Sequence, residues 1–275
     1  MGARLPAASA AHSRAHPAAA LSRESERRAR AERLGDYFAL QLRFAEHMAA
    51  RAAIPLAQSL SLYTNLRRRL GLGYGGEGPP PPEWLAYLGA TEQLATSERR
   101  LDFTKSFYVT ALDDIPPSDQ RRFGCFGCDP PDLAGVMRIH FSNRDRADDI
   151  GPLSHAKTPR RLDELKTMFA FVRETWPETR AVHGGSWLYN LEAYRRLFPP
   201  AYGASRKRPS GPVGLSGTSS WGQFLDHCEA VKPDLREAFL HNLKTIDVAA
   251  PWRAFPLPAL RTRAPIELFY DLYGV

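Results

Sequence analysis

Lysine is scarce in this 275-residue chain, at 6 residues against 31 arginines, although the net charge is +7. With abundant alanine, that bias points to a GC-rich bacterial genome. Cysteine is scarcer still: Cys125, Cys128 and Cys228 are the whole set. Three thiols cannot build a disulfide framework, and so few of them fit a reducing cytoplasm. Long apolar runs are missing as well. No stretch approaches the roughly 20 consecutive apolar residues of a membrane-spanning helix, which argues against an integral membrane protein. The N-terminal segment MGARLPAASAAHSRAHPAAA leads into SRESERRARAERL, where a secretory signal needs a continuous apolar core. The expectation is a cytoplasmic protein.

A second CxxC or HxxxH is also lacking. Cys125 and Cys128 form one CxxC within FGCFGCD, but a structural zinc ion needs four ligands at tetrahedral spacing. His140, His227 or Cys228 could complete a set only through the fold, so no metal site is expected. Basic residues are spread along the chain rather than striped, which weighs against nucleic acid as a partner and leaves a small molecule as the expected one.

The 43% of hydrophobic residues suffices for one large domain or two modest ones. Residues 1–20 are rich in Ala, Ser and Pro and are expected to be a disordered tail. A helical subdomain is expected over 21–133. Leu34, Phe38, Leu42 and Ala45 recur at helical spacing, PLAQSLSLYTNLRRRLG forms a second helix, and Trp84, Leu85, Leu88, Phe103 and Phe107 are core candidates further on. The linker GYGGEGPPPP separates these segments.

From residue 134 to 275 the pattern becomes α/β. VMRIHF suits a strand. Thr158 and Pro159 supply an N-cap and a first helical residue, and Leu162, Leu165, Phe169, Val172 and Trp176 form an apolar stripe ended by Pro177. RAVHGG reads as a second strand. Two strands joined by a crossover helix are most simply parallel, so His140 and His183 would end on one sheet edge. Gly184, Gly185 and Ser186 would then form a turn into the next segment, with Asn190 capping a helix LEAYRRLF. A helix SWGQFLDHCEAV, with Ser219 or Ser220 as N-cap, would follow the loop GASRKRPSGPVGLSGT, and PALRTRAPIELFYDLYGV is either a last strand or a packed tail. The fold class is therefore α+β, a helical subdomain followed by a mixed-sheet α/β domain containing a strand, helix, strand unit.

Such a sheet edge is where α/β proteins bind ligands. Backbone N–H groups of Gly184, Gly185 and Ser186 could hold an anion, His183 could act as a base, and His140 and Asn143 could position substrate. The loop with Arg206 and Arg208 ahead of Ser219 is a second anion-binding candidate. Serine hydrolase chemistry is excluded in detail, because Ser186 in GGSWL lacks the second glycine of GxSxG. RRLGLG at 68–73 matches the RxxGxG pattern for coenzyme A, but follows a helix and reads as a helix end.

The series MRIHF, GPLS, a helix with R-x-x-E-L, SWLYNLEAYRRLFP and SSWGQFL, over about residues 134–230, resembles the C-terminal domain of bacterial GNAT-like acyltransferases, which show a comparable LHIP, GPL, SWLL, LP and SNI-x-x-FQ series after a helical N-terminal domain. The resemblance implies a GNAT-like α/β domain and acyl transfer from a coenzyme A thioester. In that reading His183, Tyr189 and His140 are the catalytic candidates, and Asn143, Gly184, Gly185, Ser186, Arg206, Arg208 and Ser219 bind substrate or anion. The alternative is a non-catalytic ligand-binding or regulatory protein that uses the same crevice.

Overall fold

The helical periodicity of the first half reappears in the computed structural model, which describes residues 17–73, 79–110, 121–145, 149–211 and 213–275, with side chains from residue 23 onward. Helices α1 (Pro17–Arg33) and α2 (Gly35–Ala52) meet at Leu34, and the predicted apolar face, Leu34 with Phe38, Leu42 and Ala45 of α2, is buried. Helix α1 starts at Pro17, inside the segment expected to be a disordered tail, and residues 1–16 of that expectation lie outside the described residues. Helices α3 (Leu56–Tyr63), α4 (Leu66–Arg69), α5 (Pro82–Gln93) and α6 (Ser97–Thr110) follow. RRLGLG ends α4, with Gly71 and Gly73 at positive φ, as a helix end requires.

The helical run stops before residue 121. Strands β1 (Arg121–Phe123) and β2 (Phe126–Cys128) make a hairpin around the CxxC, and Gly124 turns it at φ 60°. They join β3 (Val136–Phe141), β4 (Ala181–Ser186) and β5 (Leu260–Pro265) in one sheet of order β1-β2-β3-β4-β5. The β3–β4 pair is parallel, as the crossover through α7 (Thr158–Thr175) dictates, and the other pairs are antiparallel.

The chain passes twice between two cores. After the short helices α8 (Glu192–Arg195) and α9 (Pro200–Ala204) it leaves the sheet, and α10 (Thr218–Trp221) and α11 (Pro233–Leu243) pack with the N-terminal helices instead. It then returns for β5 and α12 (Glu267–Tyr273). The boundary expected at residue 134 therefore does not divide the cores: 121–128 belong with the sheet, and 215–255 with the helices.

One face of the sheet is packed. Met137, Ile139, Val182, Leu260 and Ala264 point into a core with Leu165, Met168, Phe169 and Val172 of α7, and Phe169 stacks on Phe269 and Tyr273 of α12. Strand alternation sends the other side chains to the opposite face, where Arg122, Arg138, Arg261 and Arg263 are exposed. The C-terminal segment, readable as strand or tail, is a strand followed by a helix.

Candidate functional site

Strands β3 and β4 pair only at Val136–Ala181, Met137–Val182 and Arg138–His183. Both then run on for three residues with other partners. Ile139, His140 and Phe141 pair with β2, while Gly184, Gly185 and Ser186 pair with β5. The sheet thus opens between residues 139–141 and 184–186, and the facing backbone edges have no ladder with each other.

Two expectations change here. His183 is not at the end of its strand, and Gly184, Gly185 and Ser186 are not a turn: they are the second half of β4, because β5 lies alongside and satisfies that edge. Their backbone is a strand edge rather than a cradle of converging N–H groups. The turn comes later, as a 3-10 helix over Trp187–Asn190, and Ser186 Oγ accepts from Leu188 N (3.2 Å) to cap it.

His140 lies beside the opening. Its Nε2 meets Asp129 Oδ2 at 2.7 Å, and both side chains keep about two fifths of their surface in solvent, at 40% and 39%. A carboxylate so placed fixes the imidazole's orientation and leaves Nδ1 for another partner, the arrangement of a general base and its orienting acid. Asp129 was not foreseen from sequence, because it reaches His140 through the β2–β3 register.

His183 stands on the same outer face, half-buried. Burial holds its imidazole below the ordinary histidine pKa, and the charges of Arg138, Arg261 and Arg263 act in the same direction, against an opposing hydrogen bond to the Thr262 backbone. Both effects favour the uncharged imidazole.

Tyr189 belongs elsewhere. Its hydroxyl lies on the packed face, 2.7 Å from Tyr202 Oη, and burial pushes its pKa up. A Cβ on Gly184 would come within 1.8 Å of that hydroxyl. Tyr189 and His183 are thus separated by the sheet, and the catalytic role expected for Tyr189 is not supported by its placement.

Asn143 ties the two cores together, its Nδ2 donating to the His227 carbonyl at 2.9 Å. Asn190 donates to the Trp187 and Pro258 carbonyls rather than capping α8, whose N-cap is Leu191. Ser219 is exposed within α10, a helix of only four residues capped by Gly217, so the long helix expected from SWGQFLDHCEAV is absent and Ser219 is not its N-cap. Arg206 donates to the Gly203 carbonyl (2.9 Å). It and Arg208 flank Lys207, which pairs with Arg261 and extends the sheet beyond β5.

The two cores meet beside the opening. Lys232 Nζ lies 4.9 Å from the centre of the Trp187 ring, and a Cβ on Gly222 would stand 3.0 Å from Trp187 Nε1. Burial lowers the Lys232 pKa.

Neither cysteine of the CxxC is arranged for metal. Arg161 Nη1 donates to Cys125 Sγ at 2.6 Å, and burial pushes Cys128 up to about 12, away from the thiolate a metal needs. Arg161 also binds Asp145 (2.9 Å) and Glu164 (2.8 Å), while Lys157 and Arg160 each reach Asp145 at 3.2 Å. The cations at the start of α7 are therefore already paired with carboxylates. Asp226, His227 and Cys228 bring potential ligand atoms within 4.8 Å of one another, apart from the CxxC. Asp226 Oδ1 there accepts from the Cys228 and Ala230 N–H groups, and His227 Nε2 meets the Asp149 carbonyl.

Sequence reading missed Arg138, Arg261 and Arg263. The signal was the alternation in LRTRAP, whose value depends on knowing which face is bare. No protein-family model matches the chain, and neither a curated protein nor a solved structure does.

Proposed function

We propose that the chain transfers an acyl group from a coenzyme A thioester to a small-molecule acceptor at the opening between β3 and β4. The observation that carries this reading is the interrupted parallel ladder, with the His140–Asp129 pair beside it. Antiparallel strands leading into a parallel pair through one crossover helix agree with the GNAT-like domain that the resemblance implies.

The chemistry follows from the parts. Facing strand edges without a ladder suit an extended chain bearing amides, such as the pantetheine arm of the thioester, because strand edges bind such chains through main-chain hydrogen bonds. His140, held by Asp129, takes the proton from the acceptor's amine or hydroxyl as it attacks the thioester carbonyl. The carbon–sulfur bond then breaks, and the sulfur leaves as a thiol with the proton that His140 had taken. His183, its pKa held low by burial, stands on the neighbouring strand of the same face, opposite Arg138.

The test is acetyl-coenzyme A turnover against a panel of amines and alcohols, beside thermal stabilisation by coenzyme A. His140→Ala is expected to lower kcat by about 10²- to 10⁴-fold, the usual worth of a general base, with coenzyme A stabilisation kept. Absence of both stabilisation and turnover sinks the reading.

A further inference from the structure

Alternation along a strand puts every second side chain on one face, and on the bare face of β3, β4 and β5 this produces a grid. Its first row is Arg138, His183 and Arg263, each directly opposite the next. In the second row Gly185 faces Arg261, which Lys207 faces in turn. His140 is on the same face of β3, two residues beyond Arg138. Opposed side chains in a sheet have Cβ atoms about 4.5–5.5 Å apart, so these cations lie within reach of one small ligand.

Three observations say what that ligand carries. First, the cations are uncompensated: among the described residues no carboxylate pairs with Arg138, Lys207, Arg261 or Arg263, and Asp129 on this face is engaged by His140. Lys157, Arg160 and Arg161, by contrast, all share Asp145. Like charges set side by side on a sheet cost stability, and an anion seated among them removes that cost. Second, the grid has a clear floor. A Cβ on Gly185 would meet nothing within 4 Å, whereas one on Gly184 would run into Tyr189 and Tyr202. Third, the strand positions on this face hold no Phe, Tyr or Trp ring on which a base could stack, which favours recognition by charge over binding of single-stranded nucleic acid.

We propose that this grid binds a phosphate-bearing small molecule, with a phosphate over Gly185 held by Arg138, Arg261 and Arg263. Guanidinium forks match phosphate oxygens in pairs. The phosphate belongs either to the nucleotide end of the thioester donor or to a phosphorylated acceptor. The binding itself does not depend on acyl transfer and is measured without a thioester.

The experiment is calorimetric titration of the full chain with inorganic pyrophosphate at constant low ionic strength. Saturable one-to-one binding is expected. Arg138→Ala combined with Arg263→Ala should weaken it by about tenfold or more, as the loss of hydrogen bonds to a charged group does. Gly185→Val fills the space over the floor without altering charge, in a strand that accepts a β-branched residue, and should weaken binding at least as much while the Tm is unchanged. No saturable binding, or binding indifferent to Gly185→Val, overturns the site. So does an oligonucleotide that binds more tightly than pyrophosphate and survives Gly185→Val. A repeat with coenzyme A present assigns the phosphate to the donor if pyrophosphate is displaced and to the acceptor if both bind, either result supporting the site. Retained turnover without pyrophosphate binding removes this site and leaves the acyl-transfer reading standing, and the converse removes only that reading.

Discussion

Around α2 the helical core is closed on itself, whereas the sheet core covers only one side of its sheet. Helix α2 buries Tyr37, Phe38, Leu40, Gln41, Leu42, Phe44, Ala45 and Met48, a broad apolar face opposite the exposed Asp36, Arg43 and Ala50. Trp221, fully buried, closes one side of it against Tyr37 and Phe44, and packs with Phe224, Phe239 and Phe255. Its Nε1 donates to the Tyr63 carbonyl at 2.9 Å, so the indole is satisfied as well as packed. In β4, by contrast, successive residues live in different surroundings. Gly184 is pressed by two tyrosine hydroxyls while Gly185 faces open space. The difference teaches where a ligand can go: a surface packed on all sides has no room for one, and a half-covered sheet does.

The largest expected effect tests whether the helical core stands alone. Trp221→Ala should cost about 3–5 kcal/mol, as emptying a large aromatic site does. Because 215–255 leave the sheet after β4 and return to it through β5, denaturation followed by far-ultraviolet circular dichroism should show one transition at lower denaturant. Two separated transitions would break the comparison by showing that the cores fold independently.

A smaller effect tests the two faces of β4. Gly184→Ala places a methyl carbon 1.8 Å from Tyr189 Oη and 2.4 Å from Tyr202 Oη, an overpacking expected to cost about 1–3 kcal/mol. Gly185→Ala meets no atom and should stay within about 0.5 kcal/mol of the parent. Equal losses in urea denaturation would mean that the outer face is covered after all.

The smallest effect is acid sensitivity. The folded-state pKa of His183 lies below its ordinary value of 6.5, so the unfolded chain binds the proton more readily. The contribution to stability is present in full above that value and is lost as pH falls below it. His47, on α2, behaves alike, its pKa lowered by burial and by Arg51 and Arg43. His183→Gln should flatten the decline in Tm between neutral and mildly acidic pH, by the equivalent of a few tenths of a kcal/mol after solvent screening. His47→Gln should do less, because His47 is less deeply buried. A steeper decline in His183→Gln would show that the imidazole is favoured in its charged form.

Much of the fold was legible because its signals are local. The stripe Leu162, Leu165, Phe169, Val172 required a helix, VMRIHF required a strand, and their order required a parallel pair. The hairpin at 121–128 was not legible, since strands of three residues have too little pattern to stand out from a turn. Glycines misled for a related reason: GGS reads as a turn in isolation, yet β5, about 75 residues further on, pairs with it and holds it extended. At the site, His140 and His183 were correctly placed on neighbouring parallel strands, but Tyr189 was not separable from them. A tyrosine six residues after a strand histidine can reach either face of the sheet.

The sequence by itself determined the helices of the first half, the parallel β3–β4 pair and the presence of histidines on both strands, because apolar period and chain direction act over a few residues. Only the tertiary structure decided that the parallel ladder stops after three pairs, that Asp129 meets His140, and that Arg138, Arg261 and Arg263 share one bare face. Those facts depend on register between separate strands, from the adjacent β2 and β3 to the distant β3 and β5, and a shift of one residue in any of them would turn the same side chains to the other side of the sheet.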